Sequence, residues 1–227
     1  MKKEERYALV ISRLKEKYPK ADTELEYDSP FHLLVAVILS AQCTDKRVNM
    51  VTGKLFKRYP KVKDMADSTE EEIYGYIKAV SYPNAKSRHL LQMARRLHQV
   101  YNDRLPEDLD ELQTLSGVGR KTANVIGAIL FKKAVMPVDT HVHRVSGRIG
   151  LTNNAKTVLD TERQLVSNLK DQNDMALLHH QLILVGRYVC KARRPLCEEC
   201  NLRDVCKFFS SETTKRTRLR LNRETIK

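Results

Sequence analysis

Tryptophan is absent from this 227-residue chain, phenylalanine occurs five times, and glycine and proline are held to eight and seven. So little glycine and proline excludes a collagen-like or low-complexity protein, and 41% hydrophobic with 30% charged residues is an ordinary globular mixture. Negative charge is also in short supply. Against 41 Lys and Arg there are 28 Asp and Glu, a net charge of +13 and a pI of about 9.6. That excess points to a polyanionic partner, whose phosphates release counterions on binding; a merely soluble basic protein is the alternative. Long apolar runs are missing too. The longest stretch, FHLLVAVILSAQC from Phe31 to Cys43, is shorter than the roughly 18 residues a membrane span needs. The start, MKKEERYALVISRLKEKYPK, carries charges where a signal peptide is apolar. The expected location is cytoplasmic, with no membrane partner, and reducing conditions there argue against structural disulfides.

What is present is helical periodicity. Tyr7, Ile11, Leu14 and Tyr18 recur at spacings of four and three, giving a first helix one apolar stripe. Asp28 or Ser29, followed by Pro30, signals the start of a second helix. Apolar nearly all round from Phe31 to about Ala41, it is expected at the centre of a core. Thr44 and Asp45 open the next helix, which stops near Tyr59 and Pro60. Ser68 with Glu71 reads as a capping box ahead of IYGYIKAV. SYPN breaks that helix, AKSRHLLQMARRLHQVY forms another, and LPEDLDELQTL is a short acidic helix leading into a glycine turn. Thr140 to Ile149, Ala155 to Leu169 and Asp174 to Cys190 read as three more. No segment alternates as a strand would, so the expected fold is all-α. The tail TTKRTRLRLNRETIK is basic without an apolar stripe and suits electrostatic affinity.

Chemistry concentrates in LSGVGRKTANVIGAILFKKAVMPVDTHVHRV, residues 115–145. A short turn with Gly117, Val118 and Gly119 between two helices exposes several backbone N–H groups at one point. The following helix adds the positive end of its dipole. Together they make an anion seat that grips a phosphate without reading sequence. Arg120 should face water or phosphate. A helical wheel puts Lys121 about 110° from the centre of the stripe formed by Val125, Ile126, Ile129 and Leu130. It is therefore expected to be partly shielded, at a positive helix end, in surroundings that favour the neutral amine needed to attack an aldehyde-like carbon. Asp139, just before Thr140, reads as a helix N-cap. A carboxylate held rigidly there can also stabilise positive charge on a sugar or take a proton.

Four of the five cysteines, Cys190, Cys197, Cys200 and Cys206, fall within one short segment, CKARRPLCEECNLRDVC. Thiolates this close suit an iron–sulfur cluster or zinc. With a single C-x2-C and no histidine inside the run, the pattern leans toward a [4Fe–4S] cluster. Lys191, Arg193 and Arg194 in its first loop look like a phosphate clamp. Cys43, standing apart, reads as a small packing residue.

LSGVGRKTANV resembles the helix-hairpin-helix of the endonuclease III family of DNA glycosylases, and VDTHVHRV resembles the aspartate segment that follows it there. The cysteine spacing matches the same family in full. The resemblance runs over residues 20 to 207, departing at Ser116, where members usually have proline. It implies two helical lobes, 23–134 with six helices and the hairpin, and 1–22 with 135–210 carrying the cluster, followed by a basic tail at 211–227. It makes Lys121 and Asp139 the catalytic residues. The implied reaction is base excision: removal of an oxidised pyrimidine, a Schiff base on Lys121 and β-elimination at the abasic site. The partner would be double-stranded DNA with damaged bases or abasic sites, bound by a monomer. LSAQCTD resembles the segment whose glutamine enters the DNA stack, which points to Gln42. VSYPNAK aligns with the loop that supplies a wedge, which points to Tyr82 where many members have leucine. His141 and His143 read more readily as hydrogen-bonding scaffold than as proton shuttles. The adenine glycosylase branch usually lacks the lysine and has a glutamate where Ala36 stands here. A non-catalytic DNA-binding iron–sulfur protein would need the glycines and cysteines, but not Lys121 and Asp139 together.

Overall fold

The first helix of the computed structural model, α1 (Lys3–Lys17), lays Tyr7, Val10 and Leu14 into a core while its other faces stay in water. The structure describes residues 1–169 and 175–211, and every regular element among them is helical. The basic tail beyond 211 and the expected helix start at Asp174 lie outside the described residues. Two compact units are present: Thr23–Lys133, and Met1–Asp22 together with Ala134 onward.

The first of these units is built around α2 (Pro30–Ser40). Ser29 caps it by accepting from the His32 N–H, and its residues from Phe31 to Leu39 are all buried. A helix apolar on every side has no solvent face and is stable only when others surround it. Those are α3 (Asp45–Arg58), α4 (Val62–Ala66), α5 (Glu70–Ile77), α6 (Pro83–Tyr101), α7 (Leu109–Gln113) and α8 (Arg120–Leu130). Leu55, Met65, Ile73, Leu90, Leu97 and Ile126 close the core. The one-turn helix α4 was not expected from periodicity, five residues being too few to show a stripe. The α5 cap is corrected by one residue. Thr69, not Ser68, accepts the Glu72 N–H, while Ser68 is buried and hydrogen-bonds the Tyr59 hydroxyl and the Glu72 carboxylate.

In the other unit, α1 shares its core with α9 (Thr140–Ile149), α10 (Val158–Asn168) and α11 (Met175–Leu184). α10 starts at Val158 rather than near Ala155, because Thr157 and Asp160 form a reciprocal capping box there. Past α11 the chain winds through a wider π turn, Val185–Val189, closed by Cys190 N–H donating 2.6 Å to the Val185 carbonyl. Two short 3-10 turns, Cys197–Glu199 and Arg203–Val205, follow.

Candidate nucleic-acid interface

The glycine turn sits on a buried apolar base. Leu115 and Val118 point inward at 2% and 5% exposure, and the Val118 N–H donates 3.0 Å to the Leu115 carbonyl. Side chain and amide of Val118 are both engaged within the turn, so the valine anchors the loop from beneath. Gly117, with φ +81°, is in the left-handed region, and a Cβ there would meet the His89 Cβ at 3.0 Å and the Ile38 Cγ2 at 3.3 Å. The fold itself therefore demands glycine at 117. Gly119 differs. Its backbone is extended, and nothing lies within 4 Å of a Cβ built on it. It caps α8 without a side chain, at the positive end of an eleven-residue helix. Ser116, standing where the family usually has proline, donates 2.9 Å to the Gln92 side chain and so ties the turn to α6.

Arg120 and Lys121 are both exposed in the first turn of α8. Exposure agrees with expectation for Arg120 and corrects it for Lys121. The wheel angle was sound, but in the first turn of α8 the core covers Ala123 and leaves the Lys121 side uncovered.

Two other sequence-predicted residues of this unit share an unusual backbone. Gln42, exposed just past α2, has φ +54°. Tyr82, 64% exposed as the N-cap of α6, has φ +56°. Left-handed backbone costs a residue with a side chain roughly 1–2 kcal/mol, and such strain gathers at functional positions. Lys86, which sequence reading missed, lies between them. It is 5% exposed, and its ammonium donates 2.7 Å to each of the Leu39 and Ala41 carbonyls at the end of α2. A signal existed: Lys86, Leu90, Met93 and Leu97 share the buried face of α6.

In the second unit Asp139 is half-buried and caps α9. Its Oδ1 accepts from the His141 and Val142 N–H groups, both at 2.8 Å, as the cap reading required. His143 bonds the Thr161 hydroxyl at 2.7 Å, a scaffold contact. Arg144, one turn along α9, donates to the Cys190 and Gly186 carbonyls at 3.1 and 2.9 Å and meets the His141 ring at 3.1 Å.

Cys190, Cys197, Cys200 and Cys206 line one cavity with Val145, Ile149 and Phe208, and none is in a disulfide. Burial pushes the Cys200 and Cys206 thiols up, and the nearby cysteines add to it. Four thiols gathered round one cavity fit an iron–sulfur core whose cationic irons take up thiolate charge. Arginines brace the loop from outside. Arg148 donates to the Lys191 and Ala192 carbonyls at 2.7 and 2.9 Å, with its guanidinium 4.8 Å from the Phe208 ring centre. Buried Arg6 reaches the Ile149 and Val205 carbonyls. Lys191, Arg193 and Arg194 are exposed on this braced loop. Cys43 packs half-buried against the core of the other unit, as expected.

Residues 35–171 match the family model of the HhH-GPD superfamily of base excision DNA repair proteins, and residues 190–206 match the iron–sulfur binding domain of endonuclease III. The chain is 40% identical over 197 residues to endonuclease III of Bacillus subtilis, covering 87% of this chain and 90% of that protein. To endonuclease III of Escherichia coli K12 it is 39% identical over 199 residues, covering 88% and 93%. The chain belongs to the endonuclease III family. A member of that family is a base excision repair DNA glycosylase of the AP lyase class, and it carries a [4Fe–4S] cluster. Two solved structures, a non-covalent endonuclease III–DNA complex and a trapped endonuclease III–DNA covalent intermediate, each match at TM-score 0.86 and 38% identity. They cover 94% of this family member and 99% of their own chains. The all-α reading with its hairpin and cluster loop is thus correct. No helix among the described residues is long and apolar enough to cross a membrane.

Proposed function

We propose that Lys121 is the nucleophile and Asp139 the charge-stabilising carboxylate of a glycosylase/lyase acting on oxidised pyrimidines and abasic sites in double-stranded DNA. The carrying observation is the glycine-capped end of α8, with exposed Lys121 in its first turn beside a glycine that no internal contact requires. A phosphate seated on the α8 amides brings the sugar within reach of that amine, and burial by the bound DNA provides the shielding that the protein alone does not.

In the proposed reaction the Lys121 amine attacks C1′ of the damaged nucleotide. The C1′–N bond breaks and its electron pair leaves with the base, which takes up a proton. Ring opening gives a protonated imine between Nζ and C1′. Loss of a C2′ proton then expels the 3′ phosphate, nicking the strand, and water releases the lysine. Asp139, its Oδ1 fixed by two amides, holds a negative charge toward the sugar cation or receives a proton. Cys190, Cys197, Cys200 and Cys206 would hold the cluster, which supplies a rigid staple for the loop rather than a chemical step. Gly117 and Gly119 shape the phosphate seat with Arg120 beside it, Lys191, Arg193 and Arg194 grip the backbone, and Gln42 and Tyr82 fill the gap left by the extruded base. The protein works as a monomer in the cytoplasm, on nucleoid DNA.

Borohydride trapping tests this on duplexes containing an abasic site or thymine glycol. The unaltered protein is expected to cross-link and Lys121→Gln is not. Trapping by Lys121→Gln at the unaltered level would move the nucleophile elsewhere.

A further inference from the structure

The Gln42 turn and the Tyr82 cap belong to different helices, yet gap filling needs their two side chains at a set spacing. The Gln42 turn has a backbone bond of its own, the Cys43 N–H donating 3.0 Å to the Ser40 carbonyl. Turn and cap each depend on a left-handed residue that carries a side chain, and such a conformation persists only where its surroundings over-determine it. α2 ends without a glycine, and past Leu39 its carbonyls are running out of helical partners. Lys86 supplies what is missing on both sides. Its own amide donates 3.1 Å to the Tyr82 carbonyl, closing the first turn of α6, and its ammonium binds the Leu39 and Ala41 carbonyls that flank the Gln42 turn. Its side chain is shut away from solvent, so it cannot itself reach a phosphate. A buried lysine aimed at carbonyls, with no carboxylate among its hydrogen-bond partners, is costly unless the carbonyls are the purpose.

We propose that Lys86 is a positioning residue for the DNA gap: it bolts the Gln42 turn to the Tyr82 cap, so that both exposed side chains enter the helix as one rigid fork. This rests on the reading that Gln42 and Tyr82 fill the gap. A positive charge at the negative end of α2 strengthens the bolt, and a methionine of similar length would keep the packing and lose both bonds.

The test compares Lys86→Met, Lys86→Arg and the double variant Gln42→Ala/Tyr82→Ala. Two readouts are affinity for a duplex with a non-cleavable abasic analogue, and fluorescence of 2-aminopurine placed opposite the site, which rises when that base unstacks. The third is strand cleavage of a single-stranded abasic oligonucleotide, which has no opposite base to displace. Lys86→Met is expected to lose roughly tenfold in duplex affinity, to lose the fluorescence rise, and to keep single-strand cleavage. Lys86→Arg, which retains donors, is expected to recover part of both duplex signals. Duplex behaviour of Lys86→Met equal to the unaltered protein overturns the proposal, as do equal losses on single and double strands. If the double variant also binds and unstacks the duplex normally, the gap-filling reading fails. A defective double variant beside a normal Lys86→Met sinks the Lys86 role alone.

Discussion

Gly117→Ala and Gly119→Ala, two identical chemical changes two residues apart, are expected to part company. At Gly117 the new Cβ must adopt a left-handed backbone, costing roughly 1–2 kcal/mol. It also enters space 3.0 Å from the His89 Cβ and 3.3 Å from the Ile38 Cγ2, and overpacking of that kind adds roughly 1–3 kcal/mol. The sum, roughly 2–5 kcal/mol, is a large share of a domain's stability. At Gly119 the backbone is already extended and the space is open. Exchanging glycine for alanine, a poorer N-cap residue, costs about 1 kcal/mol. If the α8 terminus seats a phosphate, however, a methyl there lifts the anion off its amides. Losing one charge-assisted hydrogen bond, roughly 1.5–3 kcal/mol, lowers affinity roughly tenfold to a hundredfold. Urea unfolding and fluorescence anisotropy with an abasic-analogue duplex, at one fixed salt concentration, measure both quantities. Gly119→Ala binding as tightly as the unaltered protein would refute the phosphate seat. A Gly117→Ala as stable as Gly119→Ala would refute the steric argument.

Changing Lys191, Arg193 and Arg194 to glutamine should flatten a plot of log affinity against log salt, by about 0.9 for each phosphate contact removed; an unchanged slope would take that loop off the DNA. Arg6→Met, which strips donors from the Ile149 and Val205 carbonyls, should speed loss of the cluster's visible absorbance to an iron chelator and lower thermal stability. Gly186→Ala places a Cβ 2.8 Å from that of His141 on the Asp139 helix, so turnover should fall more than duplex affinity; equal falls would contradict this. Burial lowers the Lys86 pKa, with Cys43 opposing it, so the unfolded chain binds more protons between the lowered folded value and about 10.4. The stability difference between the unaltered protein and Lys86→Met should therefore shift in favour of the unaltered protein as pH rises through that window, by at most about 1.4 kcal/mol per unit; a shift the other way would put the pKa above its normal value.

The sites were unequally legible in the sequence. Asp139 was read correctly as a cap because a cap bonds its own next turn, a contact two or three residues away. Lys121 was placed at the right angle on α8 but given the wrong burial. Angle follows from helix geometry, whereas cover depends on what neighbouring segments put over that turn. Val118 was read as one residue of the phosphate seat, and the structure shows its side chain as the apolar peg on which the loop stands. Lys86 was passed over because a lysine on an apolar face is usually a long stem reaching water, and only the packed α2 carbonyls show otherwise.

Local spacing in the chain was enough to establish an all-helical fold, four thiols that suit one cluster and a glycine hairpin, and its net charge of +13 pointed to a polyanionic partner. Helical periodicity, capping and ligand spacing are all written within a few turns of chain. The tertiary structure alone decided which basic residues face outward and which are braces. Lys86 reaches carbonyls 47 and 45 residues away, and Arg6 reaches one 199 away. Such contacts carry no short-range pattern, because their partners are backbone carbonyls that every residue type possesses and that only packing brings within reach.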